Sequence, residues 1–390
     1  MTSSAKNAKD SIFWIFCIIG LFAILSSTMS KNPVLKPFAS SLGTPAGFWI
    51  GFVASASTIP GILISLPAAS LSDIFGRKKF LIIAGFIFAS APFLYLLITV
   101  WWQLVLVRFY HGFATAIFVP VADASIAELF PTRRGERISL FSSATYVGRV
   151  IAPFLGGYIL LVTYNNFHML YLAVATAGVT AFITALPFLA DKKQFTTVHH
   201  KNAKDLAKKI FHGWRTVAGN RGVLIVSFIQ ACQYYTFGAM EYFLAGYLPD
   251  VVHLDLFLTG VIVGSLIAIP IFAKPYMGRV SDKIGRRIPI VVGSIVAGLP
   301  LLAIPFVTNF SVLLLLAVVY GLGFATVTAC TPALVSELAP KELVGTAMGF
   351  LDTIMDVGQA IGPIISGLIL STSLQYVGVF PSLTLSLIHI

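Results

Sequence analysis

Charge is scarce in this chain. Only 11% of its 390 residues are Asp, Glu, Lys or Arg, and 15 are acidic, against roughly 25% charged in an ordinary soluble domain. With 57% apolar residues and a mean hydropathy of +0.90, a soluble fold is excluded, because no single core hides that much apolar surface from water. Cysteine is scarcer still. Cys17, Cys232 and Cys330 stand singly inside apolar runs. That excludes a disulfide framework and a thiolate metal site, and reads as small packing residues. There is no phosphate-binding Gly-x-x-x-x-Gly-Lys-Ser/Thr loop, which argues against ATP as energy source. No nucleophile–base constellation stands out either, so neither an enzyme activity nor a cofactor or metal is expected.

The chain is rich in long apolar runs. Twelve fall near 12–30, 47–68, 80–99, 101–126, 138–162, 168–190, 222–247, 257–276, 288–307, 311–334, 345–371 and 375–390. A spanning helix needs about 20 mostly apolar residues. A barrel strand alternates over roughly 10, and these runs do not alternate. The expected fold class is therefore an all-α membrane protein with 12 transmembrane helices. The first run resembles a signal peptide, but the spans that follow and the lack of a small-residue cleavage site argue that it is retained.

The net charge of +11 suggests nucleic acid until the charges are located. Of 26 Lys and Arg, Lys31 and Lys36 fall on one side of the spans and Arg108 and Arg149 within them, and all the others lie in the alternate loops. That asymmetry is the positive-inside rule. It predicts cytoplasmic N- and C-termini in a cell (inner or plasma) membrane, and no nucleic-acid partner.

Internal repetition organises the rest. Asp73-Ile74-Phe75-Gly76-Arg77-Lys78 recurs 209 positions later as Asp282-Lys283-Ile284-Gly285-Arg286-Arg287, and Glu128-Leu129-Phe130-Pro131 recurs at the same offset as Glu337-Leu338-Ala339-Pro340. Gly148, Pro153 and Gly157 return at 210 as Gly358, Pro363 and Gly367. Two parallel six-helix halves are expected, over 1–190 and 222–390, with a substrate site near the midplane between them. The basic linker 191–221 carries Leu206, Ile210 and Trp214 four apart. It reads either as an amphipathic helix on the anionic inner leaflet or as a solvated tether. His199, His200 and His212 lie there without the acidic or thiol partners of a metal site.

These motifs carry a resemblance. Ala69-x-x-x-Asp73-x-x-Gly76-Arg77-Lys78 and Gly278-x-x-x-Asp282-x-x-Gly285-Arg286-Arg287 resemble the signature loop of the major facilitator superfamily. Arg108-x-x-His111-Gly112 looks like its second motif. Gly148-x-x-x-Ala152-Pro153-x-x-Gly156-Gly157 is similar to the third, which marks drug/proton antiporters of the 12-span branch. The resemblance covers about residues 12–384. It implies a conformational latch of Asp73, Gly76, Arg77 and Glu128, repeated as Gly278, Asp282, Gly285, Arg286 and Glu337, which holds the cytoplasmic side shut. It also implies that the helix around Gly148, Pro153, Gly156 and Gly157 bends and closes against the other half, with Gly358, Gly362 and Pro363 as the repeat. Ala69, Ile74 and Ala152 depart from the family pattern.

Ionisable residues inside spans cost about 2.5–3.5 kcal/mol each on insertion scales and mark function by default. Glu241 shares a stripe with Gln230, Tyr234 and Phe237, Gln233 being one step off. That stripe is expected to line the cavity, with the aromatics stacking on a flat or cationic ligand and Glu241 carrying a proton. The alternative is an ion pair with Lys31, whose neighbour Asn32 is the repeat counterpart of Glu241. Asp352 and Asp356 share a helix face, and one of them can hold a proton, or Asp352 serves as helix N-terminal charge. Asp123 belongs to the cavity or to the latch. For Arg108 the family implies proton coupling, and the alternative is a bond to backbone carbonyls. Arg149 is left without a role. Leu385-Ser386-Leu387-Ile388-His389-Ile390 resembles a translated sequencing adapter, a reading that would put the natural end near Thr384 and cut the last span short; the alternative is a short natural tail.

The function expected is proton-coupled antiport by alternating access, exporting small amphipathic or cationic compounds in the manner of multidrug efflux. The expected partners are substrate, protons and the bilayer, and the protein is expected to work as a monomer. A specific sugar or metabolite carrier is the alternative, and a non-transporting membrane sensor a remote one.

Overall fold

The computed structural model describes residues 3–130, 133–190, 213–340 and 343–388. Leu206, Ile210 and the histidines of the linker lie outside them, as do Pro131 and the Asp73 side chain, whereas Trp214 lies edge-on to Phe350 at 5.5 Å. Every regular element described is helical. In chain order they are α1 (Ser3–Met29), α2 (Leu35–Ser41), α3 (Phe48–Ser55), α4 (Ile59–Phe75), α5 (Arg77–Tyr95), α6 (Trp101–Leu129), α7 (Arg134–Val162) and α8 (Phe167–Ala190). After a short helical stretch at 213–219 come α9 (Arg221–Asp250), α10 (Leu256–Ile284), α11 (Arg287–Ala303), α12 (Phe310–Leu338), α13 (Val344–Leu370) and α14 (Gln375–Ile388).

Lipid leaves backbone groups no water to bond, so a helix that satisfies its own backbone is the economical form for such apolar runs. Asn220, Asp255 and Asn309 accept backbone N–H bonds at the starts of α9, α10 and α12, as N-cap side chains do. Gly76 (φ 94°) and Gly285 (φ 86°) break the chain between α4 and α5 and between α10 and α11. A Cβ disfavours that conformation, and glycine adopts it freely.

Among the described residues ten helices are long and apolar enough to cross a membrane. Phe48–Ser55 and Ile59–Ser65, bent by 41°, give eleven when counted together as one span. The twelfth run forms the 14-residue helix α14, shorter than the length expected of a span. The 47–68 run thus differs from its expected single helix. Thr58 N–H turns back to the Ser55 carbonyl, and Pro60 has no N–H to give.

Packing repeats as the sequence does. α1 packs on α7 and α9 on α13, α4 on α6 and α10 on α12, α5 on α8 and α11 on α14. Between the two six-helix groups, α7 meets α10 and α3 meets α13. Individual contacts obey the same offset. Gly148 abuts the Leu21 carbonyl and Gly358 that of Ala231, while Gly157 abuts Leu256 and Gly367 abuts Gly47. The molecule is a pseudo-twofold pair of parallel repeats.

Candidate functional site

The two halves are clamped at the end of the bundle opposite Gly76 and Gly285. Gly51 lies against the Pro363 carbonyl and Gly260 against that of Pro153, with no room for a methyl group at either place. Ser55 donates to the Ala360 carbonyl at 2.5 Å. Small residues are what let two helix backbones approach so closely in a membrane. Of the helix-bend residues, Pro153, Gly157 and Pro363 meet the other half. Gly148, Gly358 and Gly362 pack inside their own half, and Gly156 lies by Met29 and Asn32.

Glu241 sits at the centre of this clamp, 4% exposed. Its Oε2 accepts from Lys31 Nζ at 2.7 Å and its Oε1 from Asn32 Nδ2 at 2.9 Å. Asn32 and Glu241 are 209 apart, the repeat offset. Two repeat-equivalent residues that touch each other must lie on the pseudo-twofold axis. Nearer the end of the bundle, Lys36 Nζ donates to Asp250 Oδ2 at 2.7 Å, joined by the Tyr376 hydroxyl at 3.1 Å. That cluster has no single-sequence signal beyond charge next to a span. A one-water-sized cavity of about 10 Å³ adjoins Glu241, Lys31 and Thr58.

Arg108 is 2% exposed. It donates through Nη2 to Ser57 Oγ at 2.6 Å and to the Ala54 carbonyl at 3.3 Å. The break between α3 and α4 takes the Thr58 N–H away from that carbonyl. Arg108 supplies the donor the broken helix lacks, and Gly112, one turn on, lets α6 approach the Ser57 backbone.

Gln230 and Gln233, expected to line the cavity, are corrected. Both are buried and bond within their own half: Gln230 accepts from Thr331, and Gln233 donates to Ser294 at 3.2 Å, while its Oε1 has no hydrogen-bond partner among the described residues. Tyr234, one residue beyond Gln233, is partly buried. Phe237 is buried and stacks on Phe324 at 4.6 Å, so it supports Tyr234 from beneath.

Toward the Gly76/Gly285 end, Arg149, Asp352 and Asp356 lie within electrostatic reach of Tyr234. Arg149 and Asp356 lie within electrostatic reach of one another, as Asp352 does of both Asp356 and Asp123. Arg149 lies over the Tyr146 ring at 5.3 Å, and Lys274 acts on the Tyr146 hydroxyl from α10. The positive-inside pattern hid Lys274 among the loop charges, and Tyr146 had no signal of its own.

In the latch motifs, Arg77 Nη1 is 3.2 Å from Glu128 Oε2. Arg286 Nη2 lies 2.6 Å from Asp282 Oδ1 and 3.0 Å from Glu337 Oε1. Partial burial works against the Arg286 charge, but hydrogen bonds to Glu337 and Asp282 outweigh it and raise its pKa above the ordinary value. Each of these pairs stays within one half. Gly278 and Gly285 stand in open space.

The sequence profile of the Major Facilitator Superfamily matches residues 12–274 and again 227–389. The chain is 25% identical over 386 residues to a multi-drug resistance efflux pump PmrA homolog of Lactococcus lactis, covering 93% of this chain and 89% of that one. It is 24% identical to the quinolone resistance protein NorA of Staphylococcus aureus, covering 94% and 89%. A crystal structure of a bacterial homolog of the human lysosomal transporter Spinster, inward-facing and unoccupied, superposes with a TM-score of 0.77 at 15% identity, covering 100% of this chain and 94% of that one. The chain belongs to the Major Facilitator Superfamily of multi-pass membrane transporters.

Proposed function

We propose that this transporter exports small amphipathic or cationic compounds in exchange for protons, by alternating access across a cell membrane with both termini cytoplasmic. The observation that carries this reading is Glu241 on the pseudo-twofold axis, bonded to Lys31 and Asn32 of the other half. A proton on Glu241 removes the charge that Lys31 needs, so proton binding and opening of the clamped end become one event. Substrate then leaves on the side from which the proton came. The clamped end is the outer one in this scheme, and the Arg77 and Arg286 loops close the inner one in the opposite state. Arg108 holds the α3–α4 break in register with this movement. The efflux relatives support export over uptake.

The test uses everted membrane vesicles with a pre-formed proton gradient. Lipophilic cations added one at a time should dissipate it in wild type and leave it intact in Glu241→Gln. Silence toward every cation, from protein shown to be inserted, would sink the reading in favour of a specific metabolite carrier.

A further inference from the structure

The clamped end carries a cavity that belongs to both halves. Its volume is about 580 Å³, within the roughly 300–1,000 Å³ typical of small-molecule sites. One half lends it Pro37 of α2, Tyr164 of the α7–α8 loop and Phe167 at the start of α8. The other lends Asp250, the last residue of α9, and Asp255, just before α10. Leu256, whose carbonyl abuts Gly157 of the opposite half, completes the wall. The cavity therefore exists only while α7 and α10 are together.

Its charge is of one sign. No Lys or Arg lines it. Lys31 and Lys36 are the only Lys or Arg in the loops of this end, and they pair with Glu241 and Asp250. Lys36 and the Tyr376 hydroxyl both bond Asp250 Oδ2, and Oδ1 has no hydrogen bond among the described residues. Asp255 Oδ1 accepts the Leu258 N–H at 2.8 Å, and Asp255 makes no ion pair within 4.0 Å among the described residues. Beside these carboxylates stand two aromatic rings. Tyr164 is 95% exposed and sits at φ 54°, a conformation that costs a residue with a β-carbon. Phe167 is fixed from behind by Phe38 at 5.1 Å between ring centroids. Ring faces with nearby negative charge are the usual setting for an organic cation. An anion would meet the carboxylates with no cation left to pair with it. A metal ion fits poorly, since no group of three or more His, Cys, Asp or Glu among the described residues could hold one.

We propose that this cavity binds an organic monocation, aromatic or quaternary ammonium in type, from the side of the membrane that the clamped end faces, and that the occupant holds that end shut. A ligand whose walls come from both halves loses its site when they part, so its binding favours the closed state. This regulatory site goes beyond the exchange reading and stands whether or not Glu241 carries the proton.

The experiment is equilibrium binding of benzyltrimethylammonium to the full-length protein in maltoside micelles, with benzenesulfonate as the anionic comparison. Wild type should bind the cation at least about tenfold more tightly than the anion. Asp255→Asn removes the charge and keeps a good N-cap for α10, so it should fold as wild type does and bind the cation about fivefold more weakly. Tyr164→Ala should lose a similar factor, and Tyr164→Phe should not. Saturating cation should also slow thiol labelling of a cysteine placed at Ser55. Equal binding of cation and anion would overturn the assignment, and so would no binding of either to folded protein. Affinity unchanged in both Asp255→Asn and Tyr164→Ala would overturn it too, because the cation would then sit elsewhere between the halves. Cation binding abolished by added phosphatidylcholine would replace the soluble occupant with a lipid headgroup and overturn the proposal in that form. Faster labelling at Ser55 with cation bound would overturn the closing role.

Discussion

Arg108 shows why a single buried charge is tolerated. Its guanidinium is held at the one place where a spanning helix is broken, and it bonds the carbonyl and hydroxyl that the break sets free. The planar fork of donors matters as well as the charge, and an ammonium group does not reproduce it. Arg108→Lys is therefore expected to fold and insert, with transport reduced about tenfold or more by the lost geometry. Monodispersity in detergent together with substrate flux checks this, and full activity in the lysine variant would refute it. Glu241 and Lys31 differ in how each is missed. Lys31→Gln leaves a nearly buried carboxylate bonded to Asn32 alone, whereas Glu241→Gln leaves an ammonium group whose side chain is 26% exposed. Stranding a buried charge is the costlier change. Lys31→Gln should lower the melting temperature more than Glu241→Gln does, as read by thermal unfolding in detergent.

At the scale of elements, the clamped end depends on helix backbones in contact. A methyl group at Gly51 or Gly260 meets a backbone carbonyl of the other half, and forced overpacking costs about 1–3 kcal/mol. Gly51→Ala and Gly260→Ala should both open this end, seen as faster thiol labelling of a cysteine placed at Ser55. The two contacts are repeat-related, so the effects should be of similar size. Gly278→Ala is the control. Nothing lies within 4 Å of the added carbon, and labelling at Ser55 should not change. An equal rise in all three variants would mean that helix stiffness, not contact, governs the clamp.

For the whole molecule, the pseudo-twofold axis through Asn32 and Glu241 gives the two halves one shared hinge line. Spin labels at Tyr164 and Val251, both exposed and in loops of opposite halves at the clamped end, should move apart in Glu241→Gln at neutral pH and in wild type at low pH. An unchanged distance distribution in both cases would separate Glu241 from gating. The repeat that defines this axis was legible in the chain, because parallel duplication leaves Asp73/Asp282 and Glu128/Glu337 at one offset. The bend between α3 and α4 was less so. Pro60 is visible in sequence, but its effect depends on Arg108 arriving from α6 to satisfy the opened backbone. The inward turn of Gln230 and Gln233 was hidden for a similar reason. A polar stripe at helical spacing does not say which neighbour it faces, and here Thr331 and Ser294 of the same half compete with the cavity.

Sequence alone determined the class of solvent, the helical form and the duplication, because these follow from the length, spacing and recurrence of apolar runs and charges. Tertiary structure alone decided which charges form ion pairs and which do not. Glu241 pairs with Lys31, from a position 210 residues away, while Arg149, Lys274, Asp352 and Asp356 make no ion pair within 4.0 Å among the described residues. Pairing is a matter of a few ångströms between helices of opposite halves, and no periodicity within one helix encodes that distance.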